Sequence, residues 1–312
     1  MGLNRVLRYA CLRVLGAIPT LLLVIAIAFL MVHAAPGGPF DSERVLPPDI
    51  AANIERAYHL DEPLSQQFFR YLQGLVQGDL GPSFRYRDYR VSDIIGDAFP
   101  QSMRLGALSM LLAFVVGVSL GIAAALRKNT LFDRLISGVA MIGISVPIFV
   151  VAPLMVLVFA VLLDWLPASF ASGNGASRFI LPVIALALPQ IAYITRLTRA
   201  SLIEVLQSDY IRTARAQGLK SASIIRYHAI KPAMLPLLSY LGPAIAAVLT
   251  GSVVVEQVFG IPGVGQFFIS GAVNRDYTLA LGITIFYAAI VIALNLVVDL
   301  LYGYLDPRTR AR

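Results

Sequence analysis

The sequence predicts an all-α membrane protein that crosses the bilayer six times, and two observations carry this prediction. First, charged residues make up 14% and apolar residues 58% of the 312-residue chain, whereas soluble domains contain about 25% charged residues. Second, the chain contains six charge-free runs near the roughly 20 residues that a helix needs to cross the hydrocarbon core. This composition excludes a disordered chain and argues against a soluble globular protein.

The six runs are residues 14–32, 105–126, 135–163, 179–195, 232–255 and 277–298. The first run has 19 residues, more than the 7–15 of the apolar region of a signal peptide, so we expect a retained membrane anchor. A seventh charge-free run, residues 257–274, contains Pro262 and four glycines. Its low helix propensity predicts a loop or re-entrant segment rather than a span.

The distribution of basic residues predicts the orientation. With the N-terminus inside, the inner segments hold 16 Lys and Arg against 4 acidic residues, and the outer ones hold 9 against 13. This asymmetry follows the positive-inside rule. Both termini are therefore expected in the cytoplasm, and the loop of about residues 34–104 outside. The inner segments are residues 1–13, 127–134, 196–231 and 305–312.

The long outer loop contains signals for two helices. Pro47-Pro48-Asp49 is typical of a helix start, and Pro63 begins a second helix that Gly78 and Gly81 end. Apolar residues after Pro63 keep helical spacing at Leu64, Phe68, Tyr71, Leu72 and Leu75. The loop is therefore a small helical lobe, which either covers the helix ends or forms a docking surface for an external partner.

The second predicted span carries a row of small residues, Ala113, Gly117, Gly121 and Ala125, spaced four apart. Residues at this spacing lie on one face of a helix. Because a face without large side chains lets another helix approach closely, we expect tight helix packing here.

The inner segment 196–231 carries the most local signals. Ser201 and Glu204 have the spacing of a capping box, which predicts a helix start. Ser208 or Asp209 can begin a second short helix, and Gly218 suits its C-terminal end. Arg212 and Arg215 share a face of that helix, with small Ala214 and Ala216 beside them. Such a helix fits either a groove on another protein or the role of a solvated basic connector near anionic lipid headgroups.

A few polar residues and prolines within the spans are candidates for a translocation path or hinge: Pro147, Pro189, Gln190 and Asn295. Polar groups at membrane depth face protein or water rather than lipid. A proline frees a backbone carbonyl, which a neighbour or a cavity must satisfy. The alternative is that these groups serve helix-to-helix hydrogen bonding.

No arrangement of residues predicts catalysis or a metal site. His33, His59 and His228 are scattered over both predicted sides of the membrane. No glycine-rich loop is followed by Lys and Ser or Thr, as a nucleotide-binding loop requires. This argues against a membrane-embedded enzyme, leaves a passive channel as one alternative, and places any ATP binding on another chain.

Several motifs resemble those of the permeases of peptide-type ABC importers, most nearly the oligopeptide branch. The resemblance is strongest in DYIRTARAQGL at residues 209–219 and HAIKPAMLP at 228–236. It continues through AIPT, APG, GDLGPSF, VFGIPGVGQ, NRDY and DPR at residues 17–20, 35–37, 78–84, 258–266, 274–277 and 306–308.

The resemblance implies a type-1 ABC transmembrane domain (the type I importer fold) at residues 95–304, after an N-terminal helix and extracytoplasmic loop at 1–94, and before a cytoplasmic tail at 305–312. It implies a permease subunit that imports oligopeptides across the bacterial cytoplasmic membrane. Dipeptides, glutathione or nickel are alternatives, since permeases for these substrates share several motifs. The implied partners are a second permease, two ATPase subunits that hold ATP and Mg, and an extracytoplasmic peptide-binding protein. This chain itself would hold no cofactor.

In that family the segment around Gly218 is called the EAA loop and forms coupling helices that contact the ATPase. Ala214 and Gly218 match the general pattern, whereas Arg212 replaces its Glu and Thr213 an Ala. We expect Arg212, Ala214, Arg215 and Ala216 on the exposed face. The coupling residues that the resemblance implies are Glu204, Asp209, Tyr210, Arg212, Thr213, Ala214, Arg215, Ala216 and Gly218.

Overall fold

The structure is a computed structural model that describes residues 3–34, 59–86 and 88–305. Helices account for the regular structure in these ranges, apart from one antiparallel bridge between Pro82 and Arg90. The predicted helix start at Pro47-Pro48-Asp49 and most of the predicted tail at 305–312 lie outside the described residues.

Twelve α-helices and two π-helical segments are described in these ranges. They are α1 Leu3–Ala34, α2 Leu64–Val76, α3 Val91–Leu126, α4 Leu131–Ser145, α5 Ile148–Met155 with the π-helical Val156–Leu162, α6 Ser177–Leu206, α7 Asp209–Ala216, α8 Ser221–Ser223 with the π-helical Ile224–Ala229, α9 Ile230–Ala233, α10 Leu235–Phe259, α11 Val264–Val273 and α12 Tyr277–Leu305.

Five helices are long and apolar enough to cross a bilayer, and a bent pair makes the sixth candidate span. The five lie in α1, α3, α6, α10 and α12. The bent pair joins Leu131–Ser145 to Ile148–Leu162 at an angle of 103°. The break falls at Pro147, since proline has no N–H to continue the helix and disfavours helical geometry at the preceding Val146, whose ψ is 121°.

The seventh charge-free run does not form a span. Helix α10 ends at Gly260, whose left-handed φ of 63° turns the chain. The following α11 has 10 residues, about half the length that a bilayer requires. The predicted non-spanning segment is confirmed.

The described residues divide into two compact units, Met1–Ser102 with Pro262–Ala293, and Met103–Ile261 with Leu294–Arg312. In the first unit, Ile25 and Phe29 of α1 and Leu281 and Ile285 of α12 form a buried cluster against α2. As the sequence predicts, α2 starts after Pro63 and packs its apolar face into this cluster through Phe68, Tyr71, Leu72 and Leu75. Burial raises the pKa of the Tyr71 hydroxyl above its ordinary value.

The same unit holds a buried carboxylate at the start of α12. Asp276 is 1% exposed and accepts hydrogen bonds from the backbone N–H groups of Phe84 and Leu279, each at 3.1 Å. The hydroxyl of Ser83 also donates to this carboxylate. Asp276 thus fixes the loop after α2 onto the beginning of α12.

In the second unit, α6 lies at the centre and packs against α4, α5 and α10. The predicted close approach is present, because a Cβ at Gly121 would lie 2.6 Å from the Thr198 Cβ and 2.8 Å from the Thr195 carbonyl oxygen. A Cβ at Gly117 would lie 2.8 Å from Ile194. The small-residue row of α3 is therefore the surface on which α6 packs.

Candidate functional site

The predicted short helix of the inner segment is α7, and its ends follow from the local sequence. Ser208 precedes it in extended conformation, and Asp209 lies in its first turn, where a negative charge favours the helix dipole. At the other end Gly218 has a φ of +79°. Its N–H donates to the Arg215 carbonyl at 3.0 Å, and that of Leu219 donates to the Ala214 carbonyl at 3.2 Å. This pair of bonds is a Schellman motif, so the predicted glycine C-cap is confirmed.

Helix α7 is amphipathic, and its apolar face lies on the second unit. Ile211 and Ala214 are 0% and 5% exposed and pack with Leu202, Ile224 and Ala229. The expected exposure of Ala214 is therefore wrong. Ala214 follows Ile211 by three residues, so the two share a helix face, and burial of Ile211 buries Ala214 as well.

The opposite face of α7 is exposed and mostly polar. Arg212 and Asp209 form an ion pair at 3.3 Å, with side-chain exposures of 73% and 94%. An ion pair this exposed contributes little to stability. Because both side chains are exposed, their charges remain accessible to a partner. The predicted coupling residues that are exposed on α7 and at its C-terminal end are Asp209, Tyr210, Arg212, Thr213, Arg215, Ala216 and Gly218.

The predicted helix start at Ser201 is wrong. Helix α6 continues without interruption from Ser177 to Leu206, so Ser201 and Glu204 lie in its last turns rather than at a start. Ser201 is buried and Glu204 exposed. The helix extends past the charge-free run because Leu202 continues its apolar face into a buried cluster. Two residues then separate α6 from α7, so the short helix is attached closely to a candidate span.

The candidate residues for a translocation path or hinge lie within the spans, and the structure brings only some of them together. Pro147 lies at the bend between α4 and α5, and Pro189 lies inside α6 directly before Gln190. The Gln190 side chain accepts a hydrogen bond from the Tyr240 hydroxyl of α10 at 2.8 Å. Asn295 is exposed in α12.

Two features of the second unit escaped the sequence analysis. Tyr240, which bonds Gln190, also stacks on Tyr193 with ring centroids 5.8 Å apart. Asp133 is 3% exposed and forms a two-point ion pair with Arg199, in which the Arg199 terminal nitrogen lies 2.8 Å from the carboxylate. The partners are 66 residues apart, so no local pattern links them.

The candidate spans and the short amphipathic helix beside one of them define the class of this chain as a polytopic integral membrane protein. The chain belongs to the family of binding-protein-dependent transport system inner membrane components, whose model matches residues 117–311. A model of the N-terminal part of such membrane components matches residues 6–106. Membership in this family confirms the predicted resemblance, and it confirms that the chain is a permease of the membrane.

Curated relatives match over nearly the whole chain. The oligopeptide transport system permease protein OppB of Salmonella typhimurium strain LT2 is 52% identical over 304 residues, which cover 97% of this chain and 99% of the relative. The dipeptide transport system permease protein DppB of Bacillus subtilis strain 168 is 40% identical, over 97% of this chain and 98% of its own.

A solved structure with a similar fold supports this assignment. It is a chain of the MetNI methionine ABC transporter in inward-facing conformations, with a TM-score of 0.56 and 16% identity, covering 68% of this chain and 96% of that chain. At this identity the likeness concerns the fold alone. The predicted fold class, an ABC importer permease, is confirmed.

Proposed function

We propose that this chain is the permease subunit of an ATP-driven importer that carries oligopeptides across the bacterial cytoplasmic membrane. The observation that carries the proposal is 52% identity to an oligopeptide permease over nearly the full length of both chains. Full-length similarity matters because both the outer loop and the helical domain are covered.

The importer needs partners for the steps that this chain does not perform. We assign ATP and Mg to two ATPase subunits, peptide capture to an extracytoplasmic binding protein, and the other half of the path to a second permease. The family description, which names binding-protein-dependent transport, supports the first two kinds of partner. The exposed polar face of α7 supports the ATPase contact, because it is a stable helix surface whose charges remain accessible.

Transport then follows from a two-state alternation. ATP closes the ATPase pair, α7 moves with it, and the spans open outward to receive the peptide. Hydrolysis returns the spans to the inward state. The close attachment of α7 to α6 supports this mechanism. Only two residues lie between the two helices, so a displacement of α7 is transmitted to the span that contains α6.

The test is peptide uptake by cells that lack this chain, with peptides of two to six residues and nickel as substrates. We expect loss of tri- to hexapeptide uptake, and its recovery when the gene is returned. Loss of dipeptide uptake alone would favour the second candidate, a dipeptide permease, for which the 40% identity to DppB is the specific observation. Uptake by the reconstituted complex without ATP would instead indicate a passive channel.

A further inference from the structure

In the second unit, the helices differ in what they expose. Helices α3, α4 and α5 expose large apolar side chains such as Leu111, Val139 and Phe149, at 61%, 69% and 62%. Helix α10, which is described throughout, exposes no large apolar side chain. Its exposed residues are Pro236, Ser239, Pro243, Ala247, Thr250 and Gln257. The exposed apolar side chains of α3, α4 and α5 are compatible with contact to lipid. Small and polar residues at membrane depth, as on α10, face protein or water.

A polar and aromatic cluster joins this face of α10 to α6. The Tyr240 hydroxyl donates to the Gln190 amide oxygen at 2.8 Å. The Tyr193 ring stacks on the Tyr240 ring at 5.8 Å with 25° between the planes. Because Tyr193 is 47% exposed, the cluster is open on one side.

The cluster also carries hydrogen-bonding capacity that the fold leaves free. One end of the Gln190 amide bonds Tyr240, while the other end makes no bond within the described part of the chain. Pro243 has no N–H, so the Ser239 carbonyl one turn earlier lacks its usual helix donor. Ser239 and Pro243 are both exposed. Lipid satisfies neither group, whereas a polar substrate satisfies both.

We propose that Gln190, Tyr193 and Tyr240 form a contact for the backbone of a passing peptide. A side-chain amide both donates and accepts hydrogen bonds, as a peptide group does, so Gln190 and the Ser239 carbonyl pair with the backbone. The tyrosine rings pack against whichever side chain follows, because an aromatic face accepts many apolar partners. The contact therefore suits substrates of many sequences.

This inference rests on the proposed function, and a backbone probe tests it. Two peptides of the same sequence are compared, one of which carries an ester in place of a central amide. The ester removes one N–H and weakens the neighbouring carbonyl as an acceptor. The measured quantity is the ratio of ATP-driven uptake of amide to ester peptide by the reconstituted complex with its binding protein.

The wild-type complex is compared with the Gln190→Leu complex. The binding protein contributes the same factor to every permease variant, so its effect cancels between them. We expect the amide-to-ester ratio to fall roughly two- to tenfold in Gln190→Leu, the effect of one net hydrogen bond. The fall should be similar for peptides with apolar, aromatic and charged side chains.

Two tyrosine variants complete the test. Tyr240→Phe keeps the ring but removes the hydroxyl that holds Gln190, and should lower the same ratio. Tyr86→Phe is the matched control, since its hydroxyl lies 3.2 Å from the Ser270 hydroxyl in the other unit and the ratio should equal that of wild type.

Each remaining outcome also decides the question. An unchanged ratio in Gln190→Leu overturns the inference while leaving peptide import intact, and indicates that the cluster joins helices only. A change confined to one class of side chain overturns the backbone contact. If Gln190→Leu does not assemble, Tyr240→Phe decides by the same comparison. No uptake by the wild-type complex overturns the proposed function together with the inference.

Discussion

At the residue scale, the Asp133–Arg199 ion pair fixes the beginning of α4 to α6. The Asp133 side chain is 4% exposed and that of Arg199 28%. The Asn129 N–H also donates to Asp133 at 2.9 Å, so the carboxylate is held from two directions. A charge buried this way is costly to leave unpaired.

The first prediction removes the charge of Asp133 while keeping its shape. We expect Asp133→Asn to destabilise the protein by about 3 kcal/mol, near the lower end for a broken buried pair, because Arg199 keeps some access to solvent. The measurement is the midpoint of unfolding in mild detergent. The matched control is Asp209→Asn, whose pair with Arg212 is 94% and 73% exposed, and which should change the free energy of unfolding by less than about 1 kcal/mol. Equal effects of both variants would contradict the structural role of the buried pair.

The sequence predicts single residues well where a local rule applies and poorly where distant contacts decide. Gly218 was predictable because a helix end needs a left-handed residue. It was predictable that the Gln190 side chain faces a polar group, because an amide inside a span needs a polar partner. The partner itself, Tyr240, was not, since it lies 50 residues further along the chain and an isolated tyrosine in a span carries no distinctive signal.

At the scale of elements, charge-free runs located the candidate spans but not their true lengths. Helix α6 runs 11 residues past the predicted span end at Thr195, to Leu206. The capping-box pattern at Ser201 was misleading because Ser and Glu three residues apart also fit a helix interior. The bend at Pro147 shows the reverse case, in which one continuous apolar run holds two helices at 103°.

The second prediction concerns α7 as the contact to the ATPase. Gly218→Val should weaken ATPase association or uncouple hydrolysis from uptake, while the protein still reaches the membrane. No atom lies within 4 Å of a Cβ at Gly218, so the cost within the chain is the left-handed backbone alone, roughly 1 kcal/mol. This strain energy is comparable with typical coupling free energies between two sites of a protein, so it can disturb the contact of α7 with the ATPase. The measurement is peptide-stimulated ATP hydrolysis and uptake by the reconstituted complex.

The control for this variant is Ser221→Ala, a nearby exposed position that should retain coupled uptake. Ala214→Trp is unsuitable as a second probe, because Ala214 is 5% exposed and a large side chain there would disrupt packing inside the chain. Normal coupled uptake by Gly218→Val would show that α7 only connects two helices and does not couple the ATPase to the spans.

At the scale of the whole molecule, orientation depends on charges that no single helix contains. The segments predicted inside hold 16 Lys and Arg, and such a bias retains a segment on the cytoplasmic side. The ion pair between Asp133 and Arg199 is consistent with this arrangement, because it joins two segments that are both predicted inside. The packing inside each of the two units, by contrast, depends on contacts between residues far apart in sequence and could not be predicted from composition.

The third prediction tests this orientation with single cysteines. Cys11, the one cysteine of the chain, is first replaced by serine. Ser65 and Ser221 are both exposed, so Ser65→Cys and Ser221→Cys offer accessible thiols on opposite predicted sides. In spheroplasts, a membrane-impermeant thiol reagent should label Ser65→Cys, and it should label Ser221→Cys only after permeabilisation. Because the charge bias acts on the chain as a whole, the reverse pattern would invert every predicted segment and place α7 beyond the reach of a cytoplasmic ATPase.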